Sequence, residues 1–99
     1  MNPARQRCWQ TLGVVEKEVF YLRDVAGRLF DAPELTVDWL RPLLENPEGR
    51  DRMEAFVGKF SRLKDTLVDK LLPQFLAAVG EKTGTALDNL RRAERLQLL

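Results

Sequence analysis

Ninety-nine residues leave room for one hydrophobic core and no second domain, and a composition 44% hydrophobic and 31% charged is that of a folding chain, not a disordered one. A formal net charge of +1 excludes a global electrostatic attraction to nucleic acid or to an anionic membrane, and no apolar run is long enough to span a bilayer. The chain has no histidine, which removes the usual neutral-pH general base and the commonest metal ligand; with one cysteine besides, no Cys/His zinc site can be built.

Asn2 as a cap and Pro3 at the first helical position predict a long helix from about Ala4 to Phe30. Cys8, Leu12, Val15, Val19, Leu22, Ala26 and Leu29 follow it in alternating steps of four and three, the heptad seam of a helix in a long antiparallel bundle. Trp9, Phe20, Tyr21 and Phe30 flank that seam and widen it, as for contact with more than one neighbour. Gly13 and Gly27 lower helix propensity, and a close helix crossing at these positions is the expected compensation.

Pro33 in "DAPEL" stops the first helix, because it pushes Ala32 out of helical space. A short helix is predicted next, capped by Thr36 and burying Trp39, Leu40, Leu43 and Leu44, with Pro42 near its first turn making it partly irregular. In "ENPEG", Asn46 reads as a cap, Pro47 as the first helical residue and Glu48 as a favourable charge on the helix dipole.

From there a second long helix is predicted to reach about Val79. Its stripe is Phe56, Phe60, Leu63, Leu67, Leu71, Phe75 and Val79, broadened by Val57, Val68, Leu72 and Leu76, with Lys59, Arg62, Asp65 and Asp69 largely on the solvent side. Pro73 withdraws the donor that would bond the Asp69 carbonyl and crowds that turn, a cost of roughly 3 kcal/mol that predicts a kink. Gly80 ends the helix, and "EKTGT" is a loop. Thr85 and Asp88 resemble a capping box for a last helix over about Ala86 to Leu98; Leu87, Leu90 and Leu98 lie near one side, Ala93 and Leu96 further round.

No strand pattern, internal repeat or low-complexity segment is present. The expected class is all-α: an antiparallel helical bundle of two long helices, a short connecting helix and a C-terminal helix, in a single domain over residues 1–99. The two long helices would measure about 40 and 50 Å at about 1.5 Å per residue, against roughly 30 Å for a compact domain of this size. Apolar stripes should therefore overhang, covered by self-association, by a bend at Pro73, or by both. The ending "RLQLL" also sets Leu98 and Leu99 where a further element could pack. The seam residues Leu12, Val15, Val19 and Leu22, with Phe56, Phe60, Leu63 and Leu67, are the candidate core and interface stripe, and a homodimer is expected.

The stretch from Phe56 to Leu99, with Phe60, Leu63, Lys64, Asp65 and Leu67 in "LKDTL" context and Leu87, Leu90, Ala93 and Leu96 in "ALDNLRRAERL", resembles the HEPN superfamily. Within it the resemblance is to HepT-like, or nucleotidyltransferase substrate-binding, proteins. It is mainly a packing pattern. The resemblance implies a helical bundle that dimerises and a minimal nucleotidyltransferase as partner in a toxin–antitoxin pair. Active members of that superfamily are ribonucleases whose signature is an arginine followed about one turn later by a histidine, on a helix beyond the point where this sequence stops. Without a histidine, Arg91, Arg92 and Arg95 cannot complete that motif, so no catalytic residue is assigned. The chain reads as a truncated or degenerate relative, and not as an autonomous enzyme.

Arg91, Arg92 and Arg95 are also the candidate phosphate contacts, which keeps a residual RNA- or nucleotide-binding module open beside a fragment of a ribonuclease. Equally, three cations near a helix C-terminus form a solvated face that suits the dipole. Asp65 and Asp69 lack a third ligand, so neither a metal nor a cofactor is expected. Trp39 reads as core; Trp9, near an end, reads either as core or as a binding anchor. Cys8 reads as inert packing. The lone cysteine and an N-terminus, "MNPARQRCWQ", without an apolar signal core point to the cytoplasm.

Overall fold

The computed structural model describes residues 2–99 and is all-α, with no strand among them. Helix α1 spans Pro3–Leu29, α2 Val37–Glu45 and α3 Pro47–Asp65; a π-helical segment covers Thr66–Leu71, followed by α4 at Leu72–Ala78 and α5 at Ala86–Arg95. The predicted caps close the starts of α1, α2 and α3: Asn2 Oδ1 accepts from the Ala4 N–H at 2.8 Å, Thr36 Oγ1 from the Trp39 N–H at 3.1 Å and Asn46 Oδ1 from the Glu48 N–H at 2.9 Å. At α5 the Asp88 N–H donates to Thr85 Oγ1 while the Thr85 N–H donates to Asp88 Oδ2, both at 3.2 Å, so aspartate is long enough to complete the box.

α1 lies antiparallel to the rod made by α3, the π segment and α4. Phe30 at its end meets Phe56 of α3, with ring centroids 4.8 Å apart and edge to face. Glu18 in its middle meets Thr66, and Cys8 near its start shares a groove with Phe75 and Val79. α2 packs on α3, and α5 packs on α4 and the π segment. Phe30 also touches Trp39 at 5.7 Å, so one aromatic ring ties α1, α2 and α3 together.

The second long helix is not one continuous α-helix. Around Pro73 the chain widens, and the Leu72 N–H reaches back five residues to the Leu67 carbonyl. Pro73 then stands at the second position of the resumed α-helix, so the wide turn provides the room its ring needs. A π turn holds more residues than an α turn, and a stripe extended across it at α spacing drifts off the buried face. Beyond the turn Leu76, expected only to broaden the stripe, is completely buried, while the stripe members Phe75 and Val79 are exposed; Thr66, the first residue of the π segment, is buried and its neighbour Leu67 exposed.

Four other expectations are corrected. Gly13 and Gly27 have open space where a Cβ would sit, so neither marks a close crossing; the close approach is at Gly49, whose absent side chain makes way for the Leu43 carbonyl. No residue of α2 is buried; Leu44 is exposed, and Pro42 is the sixth helical residue, beyond the first turn. α5 ends at Arg95 and does not run to Leu98, because Gln97 turns left-handed at φ 62°. Trp9, Phe20 and Tyr21, expected to widen the seam, are 60%, 68% and 56% exposed.

The hydrophobic core is thin. Its buried members are Val15, Val25 and Leu29 of α1, Leu76 of α4 and Ala93 of α5, and of the predicted stripe Leu12, Val19, Leu22, Phe56 and Leu63 are only half-buried while Phe60 is exposed. The molecule measures 50 × 26 × 22 Å, with a radius of gyration of 17.3 Å; a compact chain of this length has about 13 Å. The overhang foreseen from helix length is present.

Candidate functional site

The principal concavity is an apolar groove of about 840 Å³ at the end where α1 begins. Cys8, Trp9 and Leu12 form one wall, Leu67, Leu71 and Phe75 the other, and Leu90, Ala93 and Leu98 close its end. Each wall follows from local structure. The first turns of α1 present their seam to the segment across from them, and Leu67 from the π segment and Phe75 beyond it face the groove from the other side. The C-terminal wall depends on Gln97: its left-handed conformation lets the Leu98 N–H donate to the Ala93 carbonyl at 2.9 Å and the Gln97 N–H to Glu94 at 3.0 Å. That helix-ending pattern folds Leu98 and Leu99 back to line the groove instead of continuing α5. Arg5 is the one charged side chain in the lining, and Cys8 is a half-buried free thiol.

A second concavity, of about 620 Å³, is polar and lies between the loop before α5 and α5 itself. Asn89, buried in α5, pins that loop: the Gly84 N–H donates to Asn89 Oδ1 at 2.9 Å, and Asn89 Nδ2 donates to the Gly84 carbonyl at 3.3 Å. The fold brings Arg91, Arg92 and Arg95 together here with Lys82, but it also brings Asp88 and Glu94. Arg92 Nη1 donates to Glu81 Oε2 at 3.0 Å, so one of the three guanidiniums is already paired. The Thr85 side chain, then its backbone N–H, and then the guanidiniums of Arg91 and Arg92 hold the Asp88 carboxyl below the usual carboxylate range. An anion entering this hollow meets two carboxylates as well as four cations.

The remaining sequence candidates fall into place individually. Trp39 is half-buried against Phe30, whereas Trp9 belongs to the groove rim. Asp65 pairs with its neighbour Lys64 at 3.2 Å on the surface, and among the described residues no group of three His, Cys, Asp or Glu side chains could hold a metal ion. No helix of the described residues is long and apolar enough to cross a membrane. The contact between Glu18 and Thr66 escaped sequence reading, because a threonine beside a leucine stripe carries no sign that its hydroxyl faces inward.

The chain matches none of the protein-family models, curated proteins or solved structures with which it was compared.

Proposed function

We propose that this chain is a non-catalytic association protein, the HepT-like component of a HEPN and minimal nucleotidyltransferase toxin–antitoxin pair, working by presenting helices to a partner. The observation that carries the association reading is the groove. Among the described residues five hydrophobic side chains are buried, while Trp9, Phe75, Val79, Leu98 and Leu99 stand exposed around one apolar hollow. Exposed apolar surface of this kind, in a chain too small to dispense with it, marks an interaction site. The nucleotidyltransferase as partner comes from the sequence resemblance over Phe56 to Leu99 alone. Co-expression with a minimal nucleotidyltransferase and size-exclusion chromatography test it: the two should elute together, and independent elution at micromolar concentration removes the proposed pairing.

A second reading has its own observation. Arg91, Arg92 and Arg95 do line one hollow with Lys82, as a residual RNA- or nucleotide-binding module, or a fragment of a ribonuclease, would require. Binding of a short single-stranded RNA that weakens steeply with salt and vanishes in Arg91→Ala plus Arg95→Ala supports it. Binding insensitive to both removes it.

A further inference from the structure

The groove beside the start of α1 is apolar along its length and carries one charge at its rim. Its volume of about 840 Å³ lies within the roughly 300–1,000 Å³ of sites that enclose a small molecule. Aliphatic and aromatic side chains supply the lining, and the polar exceptions are Arg5 and the Cys8 thiol. Such a lining pairs with hydrocarbon and leaves hydrogen-bonding groups along a ligand without partners. Arg5 is exposed and takes part in none of the ion pairs among the described residues. The first turn of α1 holds no acidic residue, so an anion that reaches Arg5 meets the positive end of the helix dipole as well.

We propose that the groove binds a free long-chain monocarboxylate, its alkyl tail in the hollow and its carboxylate on the Arg5 guanidinium. Charge complementarity selects this occupant. One cation at the rim of an otherwise uncharged lining matches a ligand with one negative charge at one end. The planar guanidinium can donate two parallel hydrogen bonds to a carboxylate. A cationic amphiphile would be repelled by Arg5, and an extended peptide would bring backbone donors and acceptors that this lining cannot pair. Cys8 lies three residues after Arg5 on the same wall, so a tail in the hollow passes over the thiol and shields it. The proposal goes beyond the association reading: it assigns what fills the hollow, and a partner helix would compete for the same exposed rim.

Isothermal titration calorimetry of the full chain with decanoate, paired with iodoacetamide alkylation of Cys8, tests the proposal. Decanoate should bind one to one and slow the alkylation. Octanoate should bind about fifteenfold more weakly, since each of the two missing methylenes is worth about a factor of four. Arg5→Gln should weaken decanoate about tenfold and leave decanol unchanged. Val79→Asp, at an exposed position of the lining, should abolish binding with unchanged helical circular dichroism, and Val57→Asp, exposed on α3 outside the groove, should leave it intact. Neither heat nor Cys8 protection on adding decanoate overturns the ligand. Decyltrimethylammonium binding as tightly as decanoate, or an Arg5→Gln chain that binds decanoate like the wild type, overturns the carboxylate contact. Binding that survives Val79→Asp, or is lost in Val57→Asp, overturns the groove as its site. Cys8 protection that grows with protein concentration in the absence of decanoate makes a second copy the occupant and overturns the ligand too. A chain that ignores decanoate yet elutes with a nucleotidyltransferase overturns the ligand alone and leaves the association reading standing.

Discussion

The Thr66 hydroxyl donates to the Glu18 carboxylate at 2.8 Å, the one side-chain hydrogen bond among the described residues that joins α1 to the rod packed against it. It lies where the π segment begins, and its single proton is shared with the Arg62 carbonyl at 3.0 Å. It joins the two long elements midway, as the Phe30–Phe56 contact joins them at one end. Thr66→Val keeps the shape and leaves the part-buried carboxylate without its donor. The expected loss is about 1.5–2 kcal/mol in urea unfolding, as for a hydrogen bond to a charged group. A double-mutant cycle with Glu18→Ala should show coupling, and additive losses would show that the two residues act separately.

The glycines should respond with opposite signs. Gly49→Ala drives a methyl into the Leu43 backbone and should cost about 1–3 kcal/mol, since backbone cannot move aside as a flexible side chain can. Gly13→Ala and Gly27→Ala enter open space within a helix and should each raise stability by about 0.5–1 kcal/mol. Thermal unfolding of the three variants decides it; a destabilising Gly13→Ala would mean that this face is covered in solution.

Gln74 Oε1 is buried without a hydrogen-bond partner. Gln74→Leu removes an unsatisfied acceptor and keeps most of the volume, so stability should rise by about 1 kcal/mol. Loss of stability in denaturant titration would show that the amide has a donor in solution.

Acid should loosen α5 by a route that can be followed at one residue. The Asp88 carboxyl is held below its ordinary range by Thr85, Arg91 and Arg92, so its charged form is favoured in the folded state. Its contribution is present in full above the unfolded-state value and is lost as pH falls through the lowered folded one. The Thr85 amide proton, which donates to that carboxylate, should shift in NMR spectra with a midpoint below the ordinary carboxylate range. Asp88→Asn should abolish the transition, and a midpoint at the ordinary value or above contradicts the capping contact.

Much of this architecture is written locally. Asn2, Thr36, Asn46 and the pair Thr85 and Asp88 start their helices as read, because a cap concerns only atoms within three residues of itself. Gly80, at φ 83°, ends α4 for the same kind of reason. The candidate site was legible only in part. Arg91, Arg92 and Arg95 do share one hollow, but the loop that brings Glu81 to Arg92 has no signature in their spacing. Trp9 could be suspected as an anchor, yet its groove is assembled from three separated parts of the chain.

The sequence by itself determined the all-α class, the helix starts and the overhang of helices too long for so small a core, since these follow from short-range sterics, hydrogen bonding and chain length. Only the tertiary structure decided which side chains are inside. The π turn before Pro73 exchanges Phe75 for Leu76 at the buried face, and the left-handed Gln97 folds Leu98 back onto the groove. Both depend on what packs across from them, and a spacing rule applied along one helix carries no information about the helix it will meet.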